Sequence, residues 1–445
     1  MKKTLYKLVF VVILALATVA PIATFATYYT TTQAEEYANL ETEILQTLDA
    51  DKMYSNIKFL SKTPRVAGTK QEDAAVKYIN KQFESFGYKT EIQTFTYNDY
   101  TIPHTIQLAI DGFPQSLTPL AFEYSANGNV SSEVVPAGLG KANEMKSLDL
   151  EGKIALLQRG EISFVEKLSN VTAKGAVGVI IYNNTADKIL GSLGAENEAD
   201  IPAVLLTQAE GKALMAHLQK HPDAKASLKI KGAKTGNNTS HNVIATKKPT
   251  IKKNSTKDIL VISSHHDSVA KAPGANDNAS GTAMTLELAR VLKDIPTDTE
   301  IRFVTFGAEE VGLIGSTHYV ENLSKNEVNR IVANFNLDMV GSKDAGELIL
   351  QTVDEKPNLV TDLAQEASKK LNGEPTPYNQ GDRSDHVPFA KAGIPAALFI
   401  HNPPEPWYHT ADDSIDKISK SKLQDVAEIV SVSIWNQIQI DTKKK

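Results

Sequence analysis

Between Asp258 and Gly281 the chain reads DILVISSHHDSVAKAPGANDNASG. Ile259 to Ile262 form an apolar run suited to a buried strand, and His265, His266 and Asp267 follow it closely. A stretch rich in Gly, Pro and small side chains leads to Asp277, after which a helical pattern begins. A strand ending in His and Asp, with a second Asp on the loop beyond, is how an α/β protein presents metal ligands. Alone, such a stretch is more often a solvated loop, but three other apolar runs end the same way. Ile301–Phe306 leads into Gly307-Ala308-Glu309-Glu310, Ile331–Asn336 into Leu337-Asp338, and Ala396–Ile400 into a Pro-rich loop carrying Trp407-Tyr408-His409-Thr410. In an open α/β sheet that edge is where ligands bind. The adjacent carboxylates of Glu309 and Glu310 cannot point the same way on an extended segment. One can hold a metal while the other stays free as a general base beside a metal-activated water. The plainer alternative for such a pair is a solvated acidic loop.

The strands that must position these groups alternate with helical patterns at Gly281–Lys293 and Asn358–Leu371, and Leu348–Leu350 adds a further short strand. That alternation predicts an α/β fold with a mostly parallel, mixed central sheet sandwiched by helices. Upstream, residues 35–60 read as a polar lead-in and one helix, with Ile44, Leu45 and Leu48 at helical spacing. Thr69 and Glu72 form a capping box that opens a helix with Val76, Ile79, Phe83 and Phe86 on one face, stopped at Gly87. Thr63-Pro64-Arg65-Val66-Ala67-Gly68 reads as a connecting loop, and Thr90–Tyr97 as a strand.

Composition bounds the remaining possibilities. The 445 residues are 41% hydrophobic and 22% charged, enough for two domains with a sizeable core. A formal net charge of −6 and the lack of a basic stripe argue against a nucleic-acid partner. With no cysteine there is no disulfide, thiolate metal site or Cys nucleophile. Lys2, Lys3 and Lys7, then apolar and small residues from Leu8 to Ala20, predict a signal peptide over 1–34, cleaved near 26 or 34. The core falls short of the roughly 20 residues needed to span a bilayer. The expectation is therefore a secreted, extracellular product with no stable membrane insertion.

Residues 110–235 have a different texture, with frequent Pro and Gly, short strands and scattered charge. Gly152-Lys153-Ile154-Ala155-Leu156-Leu157, the run from Gly175 to Tyr182, and Ile201-Pro202-Ala203-Val204 resemble the protease-associated domain inserted in several secreted peptidases. The expected organisation is a catalytic domain over 35–109 and 236–445 with a β-rich α+β insertion over 110–235.

His265-x-Asp267-Ser268, Asn276-Asp277-Asn278-x-x-Gly281, Gly307-Ala308-Glu309-Glu310, Asn336-Leu337-Asp338-Met339 and Tyr408-His409-Thr410 resemble, in order, the motif series of the secreted bacterial leucyl aminopeptidase and aminopeptidase Y group. The resemblance implies a zinc-exopeptidase fold and a metal-dependent aminopeptidase that removes the N-terminal residue of peptides with a free N-terminus. It implies two Zn2+ per chain, with His265 and Asp338 on one, Glu310 and His409 on the other, and Asp277 bridging. Asp267 would orient the His265 ring, and Glu309 would be the general base toward a water shared by the two ions. Tyr408 is implied as a hydrogen-bond donor to the oxyanion. Within Arg383-Ser384-Asp385-His386, Arg383 is implied as a substrate contact, with the acid and His as support. His266 is assigned no ligand role. A histidine and carboxylate set without thiolate suits zinc, with cobalt or manganese able to substitute. The other readings of the same residues are a glutamate-type carboxypeptidase, a glutaminyl cyclase, and a non-enzymatic receptor-like ectodomain.

Overall fold

The computed structural model describes residues 39–186, 191–194, 199–251 and 255–438, so the expected signal peptide lies outside the described residues. These residues form two compact units, one reaching to Phe95 and resuming at Thr239, the other Thr96–Asn238. The division falls inside two long strands, β1 (Lys89–Thr101) and β9 (Lys234–Lys247), which begin in one unit and end in the other. No turn marks it in the sequence, and the expected limits of 110 and 235 lie inside it. No helix of the described residues is long and apolar enough to cross a membrane.

The inserted unit is built on seven strands: β2 (Thr105–Ile110), β3 (Leu120–Ala121), β4 (Gly128–Pro136), β5 (Ile154–Gln158), β6 (Gly178–Tyr182), β7 (Ala203–Leu206) and β8 (Lys225–Lys231). Their order is β2-β8-β4-β5-β6-β7-β3, parallel from β4 to β7 and antiparallel towards both edges. A helix at Phe164–Thr172, capped by Ser163, and another at Gln208–Lys220, with a Thr207–Glu210 capping box, complete it.

The other unit contains an eight-stranded mixed sheet. After β1 and β9 come β10 (Ile259–His265), β11 (Glu300–Phe306), β12 (Ile331–Leu337), β13 (Glu347–Thr352), β14 (Tyr378–Gln380) and β15 (Ala396–Asn402), in the order β1-β9-β11-β10-β12-β15-β13-β14. The four central strands β11, β10, β12 and β15 are mutually parallel, while β9 and β13 pair antiparallel on either side. Alternation along each strand sends side chains to opposite faces. Leu260, Ile262, Phe303, Phe335 and Phe399 enter the cluster that also contains the cores of the helices Lys70–Ser85, Ala279–Leu292, Leu359–Asn372 and Lys420–Gln437. Ile259, Val261, Val304 and Phe306 pack instead with Tyr319, Phe389 and Ile394. The strands are covered on both faces, as parallel strands require. The observed fold is the mixed α/β sandwich with its inserted β-rich unit.

Three local details differ from the sequence reading. The first helix is two: residues 39–47 are helical, the chain then breaks, and Ala50–Leu60 restarts beneath Asp49, whose side chain accepts from the amides of Asp51 and Lys52. Glu72 does not complete its capping box. Thr69 accepts from the Glu72 amide, but the buried Glu72 carboxylate turns to the amide of Gly68 and the hydroxyl of Ser240. The helix Lys420–Gln437 has no counterpart in the sequence reading, because its Val and Ile residues obscure a helical stripe. It buries Leu423, Val426, Val430 and Ile434.

The helix Ala279–Leu292 starts immediately beyond Asp277, with Asn278 capping the amide of Gly281. Gly281 lies so close to β12 that a Cβ there would stand 2.1 Å from the Leu337 carbonyl oxygen. We expect Gly281→Ala to cost about 1–3 kcal/mol of stability through that overpacking, read as a lowered urea midpoint at unchanged m-value.

Candidate metal centre

The ligand candidates share one edge of the sheet because their strands are parallel and in register. His265 ends β10 and pairs with Phe306, the last residue of β11, while β12 and β15 run alongside. Glu309 and Glu310 follow β11, Asp338 follows β12, and His409 lies on the loop after β15. Three residues here adopt left-handed backbone: Ala308 at φ 56°, Met339 at 54° and His409 at 60°. Each such non-glycine conformation costs roughly 1–2 kcal/mol, and strain of this kind clusters where a side chain must be aimed. Ala308 precedes the glutamate pair, Met339 follows Asp338, and His409 is itself a candidate ligand.

The donor atoms converge closely. His265 Nε2 lies 3.3 Å from Asp277 Oδ1 and 3.4 Å from Asp338 Oδ1. His409 Nε2 lies 3.1 Å from Asp277 Oδ2 and 3.2 Å from Glu310 Oε2. Atoms held about 2.0–2.1 Å from one ion at tetrahedral angles stand roughly 3.3–3.4 Å apart, so these spacings are the edges of a coordination shell. Asp277 presents one oxygen to each histidine, the disposition of a bridging carboxylate. Glu309 Oε2 is the outlier at 3.8 Å from His265 Nε2. Two triads in this cluster meet the spacing of a metal site, His265 with Glu309 and Asp338, and His265 with Asp277 and Glu310. Among the described residues no such group lies in the inserted unit.

The donor set fits a cation. Asp338 Oδ1 and Glu310 Oε1 are buried and lack any hydrogen-bond partner, a costly state for carboxylate oxygens unless a positive charge joins them. Nitrogen and oxygen donors without sulfur suit zinc.

The surroundings fix which oxygens remain free. Ser384 donates its hydroxyl to Asp338 Oδ2 at 2.8 Å and is itself held by Asn336, leaving Oδ1 aimed at His265. Asp413 accepts from the amides of Asn276 and Asp277 at 2.8 and 3.0 Å, fixing the backbone of the bridging residue. Asp267 stands 3.5 Å from His265 Nδ1, a contact at the limit of hydrogen bonding, and accepts from the amides of Glu309 and Glu310 at 3.2 Å each. It therefore touches the loop after β11 as well as the ring. His266 points away, with Nδ1 3.1 Å from Thr305 Oγ1 and Nε2 3.7 Å from Glu72. The Asn278-Ala279-Ser280 sequon is buried and its asparagine donates to the Leu337 carbonyl.

Tyr408 is 43% exposed and its ring stacks on His409 with centroids 3.8 Å apart. Burial of its hydroxyl and the acids around it raise its pKa, so it stays a hydrogen-bond donor. Asp385 and His386 are buried beside the centre, and burial lifts the Asp385 carboxyl to about 7. Arg383 is exposed, and no described contact joins it to the cluster. Sequence reasoning passed over Arg65, Ser384 and Asp413. Ser384 lay within a motif already singled out; Asp413 is four residues past His409, a spacing that carries no signal of its own.

Electrostatics follow from eight acids crowding two imidazoles. Burial pushes the His265 ring down, but Glu309, Asp338, Asp267 and Asp277 outweigh it and hold its pKa well above the ordinary value. His409 rises to about 10 for the same reason, and burial together with Asp277 lifts Glu310 to about 7. Asp277 is lowered, its burial outweighed by hydrogen bonding to both histidines.

Comparison with known proteins shows that a model described as Peptidase family M28 matches residues 242–434, and one described as PA domain matches residues 124–214. The chain is 38% identical over 425 residues to aminopeptidase YwaD of Bacillus subtilis, covering 93% of this chain and 90% of that protein. The structure of an aminopeptidase from Aneurinibacillus sp. strain AM-1 superposes with a TM-score of 0.83 at 52% identity, covering 89% of this chain and 95% of the other. BSAP, a zinc aminopeptidase from Bacillus subtilis, gives 0.67 at 38% identity, covering 88% and 96%.

Because the surrounding acids raise His409 to about 10 and burial lifts Glu310 to about 7, a cation entering the metal-free centre at neutral pH must displace a proton from His409 and part of one from Glu310. Zinc binding to the metal-free protein is expected to release protons, and apparent affinity should rise with pH as these groups deprotonate. Calorimetric titrations in buffers of different ionisation enthalpy measure both. Asp277→Ala should lower the bound metal per chain by elemental analysis.

Proposed function

The chain belongs to peptidase family M28, and from that premise we propose that its carboxyl-edge cluster is a co-catalytic centre for two zinc ions which removes the N-terminal residue of peptides. The protein is a zinc-dependent aminopeptidase. The observation that carries the two-ion reading is Asp277, with one oxygen on each histidine and a further carboxylate beside each: Asp338 with His265, Glu310 with His409.

In this reading His265, Asp338, Asp277, Glu310 and His409 hold the metals. Zinc bound there supplies positive charge that polarises the scissile carbonyl and draws the pKa of water, and of the glutamate beside it, down toward neutrality. Glu309 is the general base. It is 8% exposed, and its Oε2 lies 3.8 Å from His265 Nε2, farther than the Asp277 and Asp338 oxygens at 3.3 and 3.4 Å. Burial, reinforced by Asp385, Asp338 and Glu310 against the opposing His265, raises its carboxyl well above the ordinary value. Such a group holds a proton readily. Glu309 takes a proton from the water that attacks the carbonyl carbon and returns it to the amine nitrogen as the C–N bond breaks. Asp267 keeps the base in place through the Glu309 amide. Tyr408, protonated and partly exposed beside His409, is positioned to donate to the developing oxyanion.

The cluster favours a substrate amine over a substrate carboxylate. Its carboxylates would welcome a cation, and Arg65, the cation buried among them, already donates to backbone carbonyls and is not free to bind an anionic terminus. This weighs against the carboxypeptidase reading. The basic, apolar and small residues at the start of the sequence support export.

Glu309→Gln keeps shape and removes the base. We expect kcat to fall by about 10²–10⁴-fold with metal content unchanged by elemental analysis; turnover within tenfold of wild type would remove Glu309 from this role. The substrate class is checked with aminoacyl anilides. Free-amine anilides should be hydrolysed and amino-blocked ones left intact.

A further inference from the structure

Arg65 is 1% exposed, among the largest fully buried side chains of the protein. Its guanidinium is not paired directly with any carboxylate. Nε donates to the His266 carbonyl at 2.6 Å, Nη1 to the carbonyls of Leu60 and Pro273 at 3.0 and 2.6 Å, and Nη2 to that of Gly274 at 2.9 Å. The backbone joins the grip, since the Arg65 amide donates to Ser268 Oγ and the Ser268 amide to the Arg65 carbonyl. Three of the four side-chain acceptors lie on the segment between His265 and Asp277, two candidate ligands that must face each other. The fourth, Leu60, ends the helix Ala50–Leu60, so the segment is tied to a packed element. Gly274 completes the fit, because a Cβ there would stand 2.3 Å from the Asp277 carbonyl oxygen and 3.0 Å from Arg65 Nη2.

A buried cation is costly to keep unless its donors are met, and here all three guanidinium nitrogens donate to backbone carbonyls, three of the four acceptors on one loop. The planar fork reaches several acceptors at fixed angles, which a lysine ammonium cannot do. Asp267, Asp277, Glu310 and Asp413 surround the charge.

We propose that Arg65 is a positioning residue of the metal centre: its guanidinium clamps the 266–274 segment so that His265 and Asp277 stand at ligand spacing before a metal arrives, and its charge offsets the repulsion among the acids around it. This rests on the metal-centre reading above. Loss of the clamp lowers metal affinity because the loop must then be ordered by the metal itself, in the range of about 10–100-fold that supporting groups around metal ligands contribute.

The test uses the full chain, stripped of metal and titrated with zinc against a competing chromophoric chelator, with circular dichroism confirming folding. Arg65→Lys, which keeps charge but not the fork, is expected to bind zinc about tenfold more weakly, and Arg65→Met about a hundredfold. Gly274→Ala, which displaces the segment while leaving Arg65 intact, should also weaken binding. Cobalt-loaded Arg65→Lys should show a shifted visible absorption, which a remote packing role would not produce. Folded Arg65 variants with zinc affinity within threefold of wild type overturn the proposal. Should neither Arg65 variant fold, Gly274→Ala decides, and wild-type affinity in it confines Arg65 to folding. A wild-type protein that binds no zinc overturns the metal-centre reading itself, whereas normal wild-type binding with unaffected variants overturns only the role of Arg65.

Discussion

The structure depends on keeping eight carboxyl groups together in a nearly water-free space. Asp267, Asp277, Glu309, Asp338, Asp385, Glu405 and Asp413 are all buried, and Glu310 is nearly so. Like charges at this density repel, and burial penalises each one. The fold answers in three ways. Backbone amides of Glu309, Glu310, Asn276 and Asp277 point at Asp267 and Asp413. Two imidazoles and one guanidinium stand among the acids. Asp338 Oδ1 and Glu310 Oε1 are among the oxygens left without a hydrogen-bond partner, while Asp338 Oδ1 and Glu310 Oε2 stand at ligand spacing from the two histidines. An acid-rich edge of this kind is stable only in proportion to the positive charge it can recruit.

That constraint explains the architecture around it. Parallel strands end at a common edge, and four adjacent ones can each deliver a donor there without long loops of their own. Polar side chains behind the edge then select which oxygen faces the centre. The run Asn334, Ser263, Asn336, Ser384 to Asp338 crosses from β12 to β10 and back by hydrogen bonds of 2.8 to 3.0 Å. Both strands are buried on both faces, so these serine and asparagine residues cannot be met by bulk water. Their presence in an otherwise apolar sheet makes sense as a support for Asp338.

How much of this was legible in the sequence follows from the range of each interaction. The central strands and the positions of His265, Glu309, Glu310, Asp338 and His409 were readable because short continuous apolar runs and the residues that end them are local signals. The helix break at Asp49 was also local, but an aspartate within a polar run does not announce a cap. Arg65 and Asp413 could not be read at all. Each acts more than a hundred residues away along the chain, on His266 and Asp277, through backbone groups that leave no mark in composition. The inserted unit was recognisable by its own strand pattern, whereas its limits were not, since β1 and β9 pass through them without a turn.

The division of labour between Glu309 and Glu310 brings these levels together. Both follow β11 and both are surrounded by acids, so chemistry alone does not separate them. Position does. The left-handed Ala308 turns the chain before the pair, and Gly307 allows the turn, because a Cβ there would meet Ser240 and Glu72 at 2.2 and 2.6 Å. Asp267 then holds the two consecutive amides, one oxygen to each, which fixes both residues relative to the His265 ring. With the backbone pinned in this way, Glu310 reaches His409 at ligand spacing while Glu309 stops short of it beside His265. On the proposed reading, this difference in reach, set by one alanine's φ and one buried aspartate, is what would assign Glu310 to the metal and leave Glu309 to move a proton.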